Sequence, residues 1–298
     1  GPARAPAGAS SPPGPHVVAL GGGHGLAATL RAAGRYAGEL TAIVSVADDG
    51  GSSGRLRDVF DILPPGDLRK CLVALGDPGS LWSRAFEHRF RAGELAGHAL
   101  GNLVIAGLAA TTGDYLVALE EAGRLLGAKG RVLPATTVPV VLKAVTGQGE
   151  IEGQVAVMRS PRIARVSLSP ADPEPPPAAL DALARADQIV IGPGSLYTSV
   201  LAVVAVPALT EAVGASAARK VYLCNLRPQR PETSGYDVAA HVEALVAHGV
   251  DPDVVLCDTT GMRLGEPCRP WVDRRLSRPS GLAHDPARLA AALVDLVG

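Results

Sequence analysis

The sequence has 298 residues, of which 47% are hydrophobic and 19% charged, a composition typical of a soluble globular protein with one large α/β domain or two small ones. The formal net charge of −1 gives no long-range attraction to nucleic acid or to an anionic membrane, so neither is expected as a partner. No apolar run reaches the roughly 18 to 20 residues that span a bilayer, and the four scattered cysteines without a C-x-x-C pair predict reduced thiols in a cytoplasmic protein, not a zinc site or a disulfide framework.

The N-terminal stretch, residues 1–15, contains five prolines and no apolar core, which predicts a disordered tail ahead of a single α/β domain over residues 16–298. Apolar runs at 16–20 and 40–46 predict buried strands, with a helix between them from about residue 24 to residue 34. Glycine, serine, aspartate and proline are frequent over residues 47–66, which predicts a long functional loop.

Later segments alternate in the same way between strand and helix character. Helical patterns follow the loop, and QVAVM and RIARVSLS are interpreted as strands, as is QIVI at 188–191. This alternation predicts a Rossmann-like, doubly wound, mostly parallel sheet with helices on both faces and an inserted helical region. Polar clusters fall at the predicted carboxyl ends of strands, where such sheets bind ligands: 21–25, 47–55, 192–199 and 225–236.

The first of these clusters is the loop GGGHG, which joins a β-branched run to a segment rich in alanine and leucine. Glycines let backbone N–H groups approach a phosphate closely, and a helix dipole starts just beyond the loop. The motif therefore predicts that Gly22, Gly23, His24 and Gly25 bind a phosphate group. The pattern G-x-G-x-x-A with an acid about 20 residues later is also the dinucleotide fingerprint, so an NAD(P)-binding protein is one alternative.

Two adjacent acids open the second cluster, which reads ADDGGSSGRLR. Asp48 and Asp49 are candidates for contacts with a ribose or sugar, and together for a Mg²⁺ site. Ser52 and Ser53 offer hydroxyl groups to an anion, and Arg55 offers a positive charge to a phosphate.

Three further candidates lie between the cluster at 47–55 and the cluster at 192–199. Asp67 is a candidate N-cap for the helix that follows it. His98 and Asn102 are four residues apart on one predicted helix, so they form either a buried polar pair or a ligand contact.

The sequence GPGSLYTS forms a second anion-type turn at a strand end, and it predicts that Gly194, Ser195 and Thr198 bind a second phosphate at a helix N-terminus. It lacks the last glycine of the hydrolase elbow G-x-S-x-G. Asn225 and Arg227 lie in a loop after the next strand, where they are candidates for contacts with a base or a phosphate.

Taken together, these segments resemble the YvcK/CofD superfamily and, within it, the gluconeogenesis-factor branch, also called YvcK or GlmR. The matching segments run in family order from residue 17 to about residue 245, and they read ALGGGHGL, VADDGGSSGRLR, PPGDLRKCLVAL, GHALGNL, GRVLPAT, ADQIVIGPGSLYTS and NLRPQRPETSGYD. VADDGGSSGRLR and GPGSLYTS favour this branch over the CofD branch. His24 departs from the threonine that is usual in the family's glycine loop, and His284-Asp285 is the one candidate for the family's C-terminal ligand contacts.

The resemblance implies a Rossmann-like fold that binds a nucleotide sugar of the UDP-N-acetylglucosamine type. It implies a non-catalytic regulator of cell-envelope (peptidoglycan) precursor supply and cell shape, with a regulated metabolic enzyme as partner, a homo-oligomeric state and no required cofactor. The CofD branch implies an alternative, a transferase that moves a phospholactyl group onto a deazaflavin with Mg²⁺.

Overall fold

The structure, a computed structural model, describes residues 14–298. The predicted disordered tail, residues 1–15, therefore lies outside the described residues except for its last two positions. Buried apolar side chains of the described part form one contiguous cluster built largely from valine, leucine, isoleucine and alanine.

The main sheet has seven parallel strands in the order β10-β9-β8-β7-β1-β2-β3. Its strands are β1 His16–Gly21, β2 Glu39–Val44, β3 Arg131–Pro134, β7 Gln188–Ile191, β8 Arg219–Leu223, β9 Val254–Cys257 and β10 Trp271–Asp273. The central strands β1 and β7 are almost completely buried, as expected for apolar runs covered on both faces. The predicted doubly wound, mostly parallel sheet is thus confirmed.

Twelve α-helices and one π-helix lie within residues 14–298. They are α1 Gly23–Ala33, α2 Gly51–Phe60, α3 Gly66–Leu75, α4 Leu81–Glu87, α5 Leu100–Thr112, α6 Tyr115–Leu126, α7 Gln154–Met158, α8 Pro177–Arg185, the π-helix Leu196–Val200, α9 Leu201–Val204, α10 Pro207–Ala215, α11 Val238–Ala247 and α12 Pro286–Val294. The chain steps in opposite directions from β1 to β2 and from β7 to β8, so right-handed crossovers place α1 and the α9–α10 pair on opposite faces of the sheet. Helices α2 to α6 form the inserted helical region between β2 and β3.

A second, three-stranded antiparallel sheet was not predicted. It contains β4 Val141–Thr146, β5 Gly149–Glu152 and β6 Ile163–Ser169 in the order β5-β4-β6. The strand predicted for QVAVM is wrong, because these residues form α7. A run of four apolar residues does not distinguish a strand from one buried helical turn. Here the Val155 N–H donates to the Asp49 carboxylate at 2.9 Å, a contact distant in sequence.

The predicted loop over residues 47–66 also needs correction, because its middle forms α2. Glycine and serine are weak helix formers, so the sequence of α2 does not predict a helix by itself. Packing supplies the reason: Ser52, Ser53 and Leu56 are buried, and a Cβ atom on Gly54 would overlap the Asp49 carbonyl oxygen. Small residues are therefore what lets this helix approach the end of β2.

No single helix within residues 14–298 is both long and apolar enough to cross a bilayer. One pair, Leu196–Val204 with Pro207–Ala215, meets the criteria of length and composition only across a 75° bend.

Candidate functional site

The candidate site lies where the sheet reverses its strand order, between the carboxyl ends of β1 and β7. The glycine loop follows β1 and leads into α1, and a Gly-Pro-Gly turn at 192–194 follows β7. The two turns touch, because a Cβ atom on Gly25 would overlap the Pro193 carbonyl oxygen. Ligands of doubly wound sheets bind at such a point, since the neighbouring connections leave towards opposite faces.

A cavity of about 320 Å³, which we call the cleft, opens between these two turns. The segment after β8 and the segment before α12 complete its wall. Of the residues predicted from the sequence, the cleft is lined by His24, Gly25, Gly194, Asn225 and Arg227. The polar clusters predicted at the ends of β1, β7 and β8 therefore meet in space.

The amino end of α1 is open towards an anion. Gly22 is its N-cap residue, and no side chain accepts a hydrogen bond from the first turn of this helix. Only glycine fits at position 22, because a Cβ atom there would lie 2.6 Å from an Asp67 carboxylate oxygen. Unpaired N–H groups at a helix N-terminus and the helix dipole both favour a phosphate.

His24 stands in the first turn of α1 and is exposed to the cleft. Partial burial lowers the pKa of His24, and the positive charge of Lys70 acts in the same direction, while Asp67 opposes them. The lowered pKa favours the neutral form of the imidazole. A neutral ring at this position can donate one hydrogen bond to a phosphate oxygen without a fixed charge.

Asp67 and Lys70 form an ion pair behind the glycine loop, with 2.9 Å between Lys70 Nζ and Asp67 Oδ1. The prediction that Asp67 caps α3 is wrong, because Pro65 is the N-cap residue and Asp67 lies inside the first turn. A carboxylate in the first turn still interacts favourably with the positive end of the helix dipole. Sequence reasoning missed Lys70, although its position three residues after Asp67 is a spacing at which helix side chains meet.

The two acids after β2 have different surroundings. Asp49 Oδ1 accepts a hydrogen bond of 2.9 Å from the Val155 N–H at the start of α7. Asp48 accepts one of 3.0 Å from the Gly50 N–H. Burial raises the pKa of Asp48, and the nearby charge of Asp67 raises it further, although the hydrogen bond from Gly50 acts against them.

Asp49 Oδ1 is thus engaged by α7, and the charge of Asp67 acts on Asp48, while the Mg²⁺ site predicted for Asp48 and Asp49 stays a prediction. Within residues 14–298, no group of three or more histidine, cysteine, aspartate or glutamate side chains is arranged to hold a metal ion. Ser53 lies beside Asp48 and hydrogen-bonds to its carboxylate.

Two other predicted ligand contacts, Ser52 and Asn102, belong instead to a buried polar network, and a third, the exposed Arg55, bonds to the backbone. Ser52 Oγ lies 3.0 Å from His98 Nδ1 and accepts a hydrogen bond of 3.0 Å from the Asn102 amide. Arg69 Nε donates to Asn102 Oδ1 at 3.0 Å, and Arg55 donates to the Ala96 carbonyl at 2.9 Å. Ser52, Asn102 and Arg55 thus join α2 to α5 and to the segment before it, and they do not line the cleft.

His98 and Asn102 also do not share a helix. α5 begins at Leu100 with Ala99 as its N-cap residue, so His98 precedes the helix. Both side chains belong to a buried polar group, as one of the two interpretations predicts. They do not contact each other directly, because each is hydrogen-bonded to Ser52 Oγ.

The second predicted phosphate site, at the start of the π-helix, is filled by a carboxylate of the chain itself. Glu232 is buried and accepts hydrogen bonds from the Tyr197 N–H at 2.6 Å, the Thr198 N–H at 3.1 Å and the Ser195 hydroxyl. Thr198 Oγ1 donates to Ser195 Oγ at 2.6 Å. The prediction that Ser195 and Thr198 bind a phosphate is therefore corrected: the Ser195 hydroxyl and the Thr198 N–H donate to Glu232, and the Thr198 hydroxyl donates to Ser195.

Burial raises the pKa of Glu232, while the hydrogen bonds from Ser195, Tyr197 and Thr198 lower it. Glu232 is not among the residues singled out from the sequence. Nothing in its neighbourhood PETSG marks it as buried, because its partners lie more than 30 residues earlier in the chain.

Asn225 lines the cleft, but its side-chain amide is hydrogen-bonded to the backbone of Gly194, which also lines the cleft. Its Oδ1 accepts from the Gly194 N–H at 2.9 Å, and its Nδ2 donates to the Gly194 carbonyl at 2.7 Å. The amide edge predicted to read a base is thus paired with backbone, which leaves Arg227 as the free polar side chain of this pair in the cleft.

The C-terminal candidates separate into two roles. Asp285 caps α12 by accepting from the Ala287 and Arg288 N–H groups at 2.9 and 3.1 Å. His284 lines the cleft from the opposite side to His24, and its Nε2 atom is buried and has no hydrogen-bond partner within residues 14–298.

Comparison with known proteins agrees with this architecture. The family model described as 2-phospho-L-lactate transferase CofD matches residues 17–267. A solved structure of a UPF0052-family protein from Bacillus halodurans superposes with a TM-score of 0.88 at 38% identity and covers 94% of this chain and 99% of that one.

Three relatives from bacteria extend the match. The gluconeogenesis factor of Bacillus subtilis is 45% identical over 78% of this chain and 75% of its own length, and that of Halalkalibacterium halodurans is 45% identical over 81% and 77%. A relative from Mycobacterium tuberculosis is 43% identical over 93% of this chain and 89% of its own length. The open helix N-terminus at the switch point and these matches lead to one assignment: the chain belongs to the CofD family and, within it, to the gluconeogenesis factors.

Proposed function

We propose that the protein binds a nucleotide sugar of the UDP-N-acetylglucosamine type in the cleft and acts as a regulator. The observation that carries this proposal is the uncapped amino end of α1, which opens beside Arg227 at the switch point of the sheet. A helix N-terminus and a guanidinium group together provide what a diphosphate needs. The cleft volume of about 320 Å³ falls within the usual range for ligand sites.

In this proposal the backbone N–H groups of Gly22, Gly23 and Gly25 hold the diphosphate, and His24 donates to one of its oxygens. Arg227 neutralises part of its charge. The gluconeogenesis-factor relatives support the class of protein, and the resemblance to that branch supplies the sugar, the role in envelope precursor supply and cell shape, the cytoplasmic location, the homo-oligomeric state and the regulated enzyme partner as parts of the proposal.

Isothermal titration with UDP-N-acetylglucosamine tests the proposal, with UDP-glucose, GDP and NAD⁺ as comparison ligands, each with and without Mg²⁺. We expect binding of the UDP-sugars without a Mg²⁺ requirement, together with a rise in melting temperature by mass action. Binding of NAD⁺ in preference to the UDP-sugars would contradict the proposal and favour a dinucleotide-binding protein.

The variant His24→Glu is expected to weaken UDP-N-acetylglucosamine binding by about a hundredfold, because a carboxylate beside the diphosphate repels it in a partly buried site. His24 is exposed, and an acid in the first turn interacts favourably with the positive end of the helix dipole. We therefore expect the unliganded variant to keep the melting temperature of the wild type. His88→Glu introduces the same charge at an exposed histidine at the end of α4, and it serves as the matched control. Equal affinities of the two variants would remove His24 from the site.

A CofD-like transferase is the second candidate, favoured by the family model that matches residues 17–267. Asp48 and Asp67 interact closely enough for the charge of one to raise the pKa of the other. Mg²⁺ would suit two such carboxylates if phosphate oxygens and water completed its shell, and it would neutralise charge on a transferring phosphoryl group. Mg²⁺-dependent transfer from a nucleotide donor to a deazaflavin that is lost in Asp48→Asn would favour this candidate over the regulator.

A further inference from the structure

A second cavity, of about 610 Å³, lies next to the cleft and is called here the basic cavity. Arg227 and Pro228 line both cavities, so the two share a wall. The lining of the basic cavity includes the three arginines Arg227, Arg230 and Arg263, and no acidic residue.

The acids closest in sequence to this lining are used elsewhere. Asp258 accepts hydrogen bonds from the Leu276 and Ser277 N–H groups at 2.8 and 3.0 Å, and from Thr260. Asp237 caps α11 by accepting from Ala240 at 2.9 Å.

The third such acid, Glu232, is buried under the π-helix, where its carboxylate accepts from Ser195, Tyr197 and Thr198. Within residues 14–298, none of the three guanidinium groups takes part in an ion pair. Three exposed arginine side chains thus line one cavity whose lining contains no acidic residue.

The rest of the lining is suited to a small ring-shaped molecule. Tyr236 is fixed by a hydrogen bond of 2.7 Å between its hydroxyl group and that of Tyr197, and Met262 is buried. An aromatic ring and a thioether offer an apolar contact, while guanidinium groups bind carboxylates through paired N–H donors.

We propose that the basic cavity is the subsite for a carboxylate carried by the sugar of the nucleotide sugar, so that acidic sugars bind more tightly than neutral ones. This inference rests on the proposed function, since it requires the nucleotide diphosphate to lie in the cleft. The shared wall at Arg227 and Pro228 is the reason to assign both cavities to one ligand. Among the nucleotide sugars of the proposed function, those whose ring bears a carboxylate then bind most tightly.

UDP-glucose and UDP-glucuronic acid test the inference directly, because they differ only in the group at C6 of the sugar. Isothermal titration is expected to show about tenfold tighter binding of UDP-glucuronic acid, a difference that decreases at high salt. In Arg230→Ala and in Arg263→Ala the ratio of the two affinities falls to about one. Arg159→Ala removes an exposed arginine at the end of α7 and keeps the wild-type ratio.

Inorganic phosphate separates a sugar carboxylate from a free anion as the occupant. As a competitor, it is expected to weaken UDP-glucuronic acid binding more than UDP-glucose binding. Phosphate binding that Arg263→Ala abolishes, beside equal affinities for the two sugars, would assign the cavity to a free anion and overturn the inference.

The two levels of the proposal fail in different ways. Equal affinities for the two sugars, with measurable binding of both, would overturn the acidic-sugar subsite and leave the proposed function standing. Absence of binding by both of these sugars and by UDP-N-acetylglucosamine would overturn both.

Discussion

Replacement of Glu232 by alanine is expected to lower the free energy of unfolding by about 3 kcal/mol, because it leaves buried N–H groups without an acceptor. The Tyr197 and Thr198 N–H groups and the Ser195 hydroxyl all donate to this carboxylate. In a chain of this size the loss corresponds to a fall in melting temperature of roughly 6 to 12 °C. Denaturant unfolding at pH 7 measures the change directly.

Two comparisons show whether the carboxylate itself is the cause. Glu232→Gln keeps the shape and one acceptor oxygen, and it should cost about half as much. Acetate or formate should raise the melting temperature of Glu232→Ala more than chloride at the same ionic strength does, because a small carboxylate can enter the vacated site. A loss below about 1 kcal/mol in Glu232→Ala, on the scale of an ordinary exposed contact, would contradict the assignment.

Acidification is expected to destabilise the protein between about pH 6.5 and pH 4, with His284 as a main cause. Burial lowers the pKa of His284 to about 4, although Asp258 and a hydrogen bond with the Cys224 backbone act in the opposite direction. The unfolded chain takes up the proton near pH 6.5, so the unfolding free energy falls as the pH drops through this window. The full effect of this one group is about 3 kcal/mol.

The variant His284→Asn keeps a hydrogen-bond donor but does not titrate, so its unfolding free energy should fall less between pH 7 and pH 4.5 than that of the wild type. Burial also lowers the pKa of His241 and of His248, and these residues leave a remaining slope in the variant. His88→Asn, at an exposed position, is the control and should follow the wild type. Identical pH profiles for His284→Asn and the wild type would remove His284 from this account.

The main sheet was predictable because its strands carry a local signal. A short apolar run with polar residues at its carboxyl end, as in residues 16–25 and 188–199, predicts both a buried strand and a ligand-facing turn. The glycine loop and Arg227 reach the cleft for that reason.

Side chains whose partners are distant in sequence were not predictable in the same way. Ser195 and Thr198 have the residue types of a phosphate site, but the acceptor that fills it comes from Glu232. Asp49 and Asn225 likewise bond to backbone groups 106 and 31 residues away. A motif gives the donors and acceptors present, whereas tertiary contacts decide which of them stay available to a ligand.

The loop over residues 225–236 divides the cleft from the basic cavity, and it is fastened on both sides of Arg227 to the same turn. Asn225 holds Gly194 on one side, and Glu232 holds Ser195 on the other. The backbone of this partition is therefore anchored, while the Arg227 side chain lines both compartments and has no ion-pair partner within residues 14–298. We expect binding in the two compartments to be coupled electrostatically. An anion bound in one compartment reduces the attraction of Arg227 for an anion in the other, while the shape of both compartments is conserved.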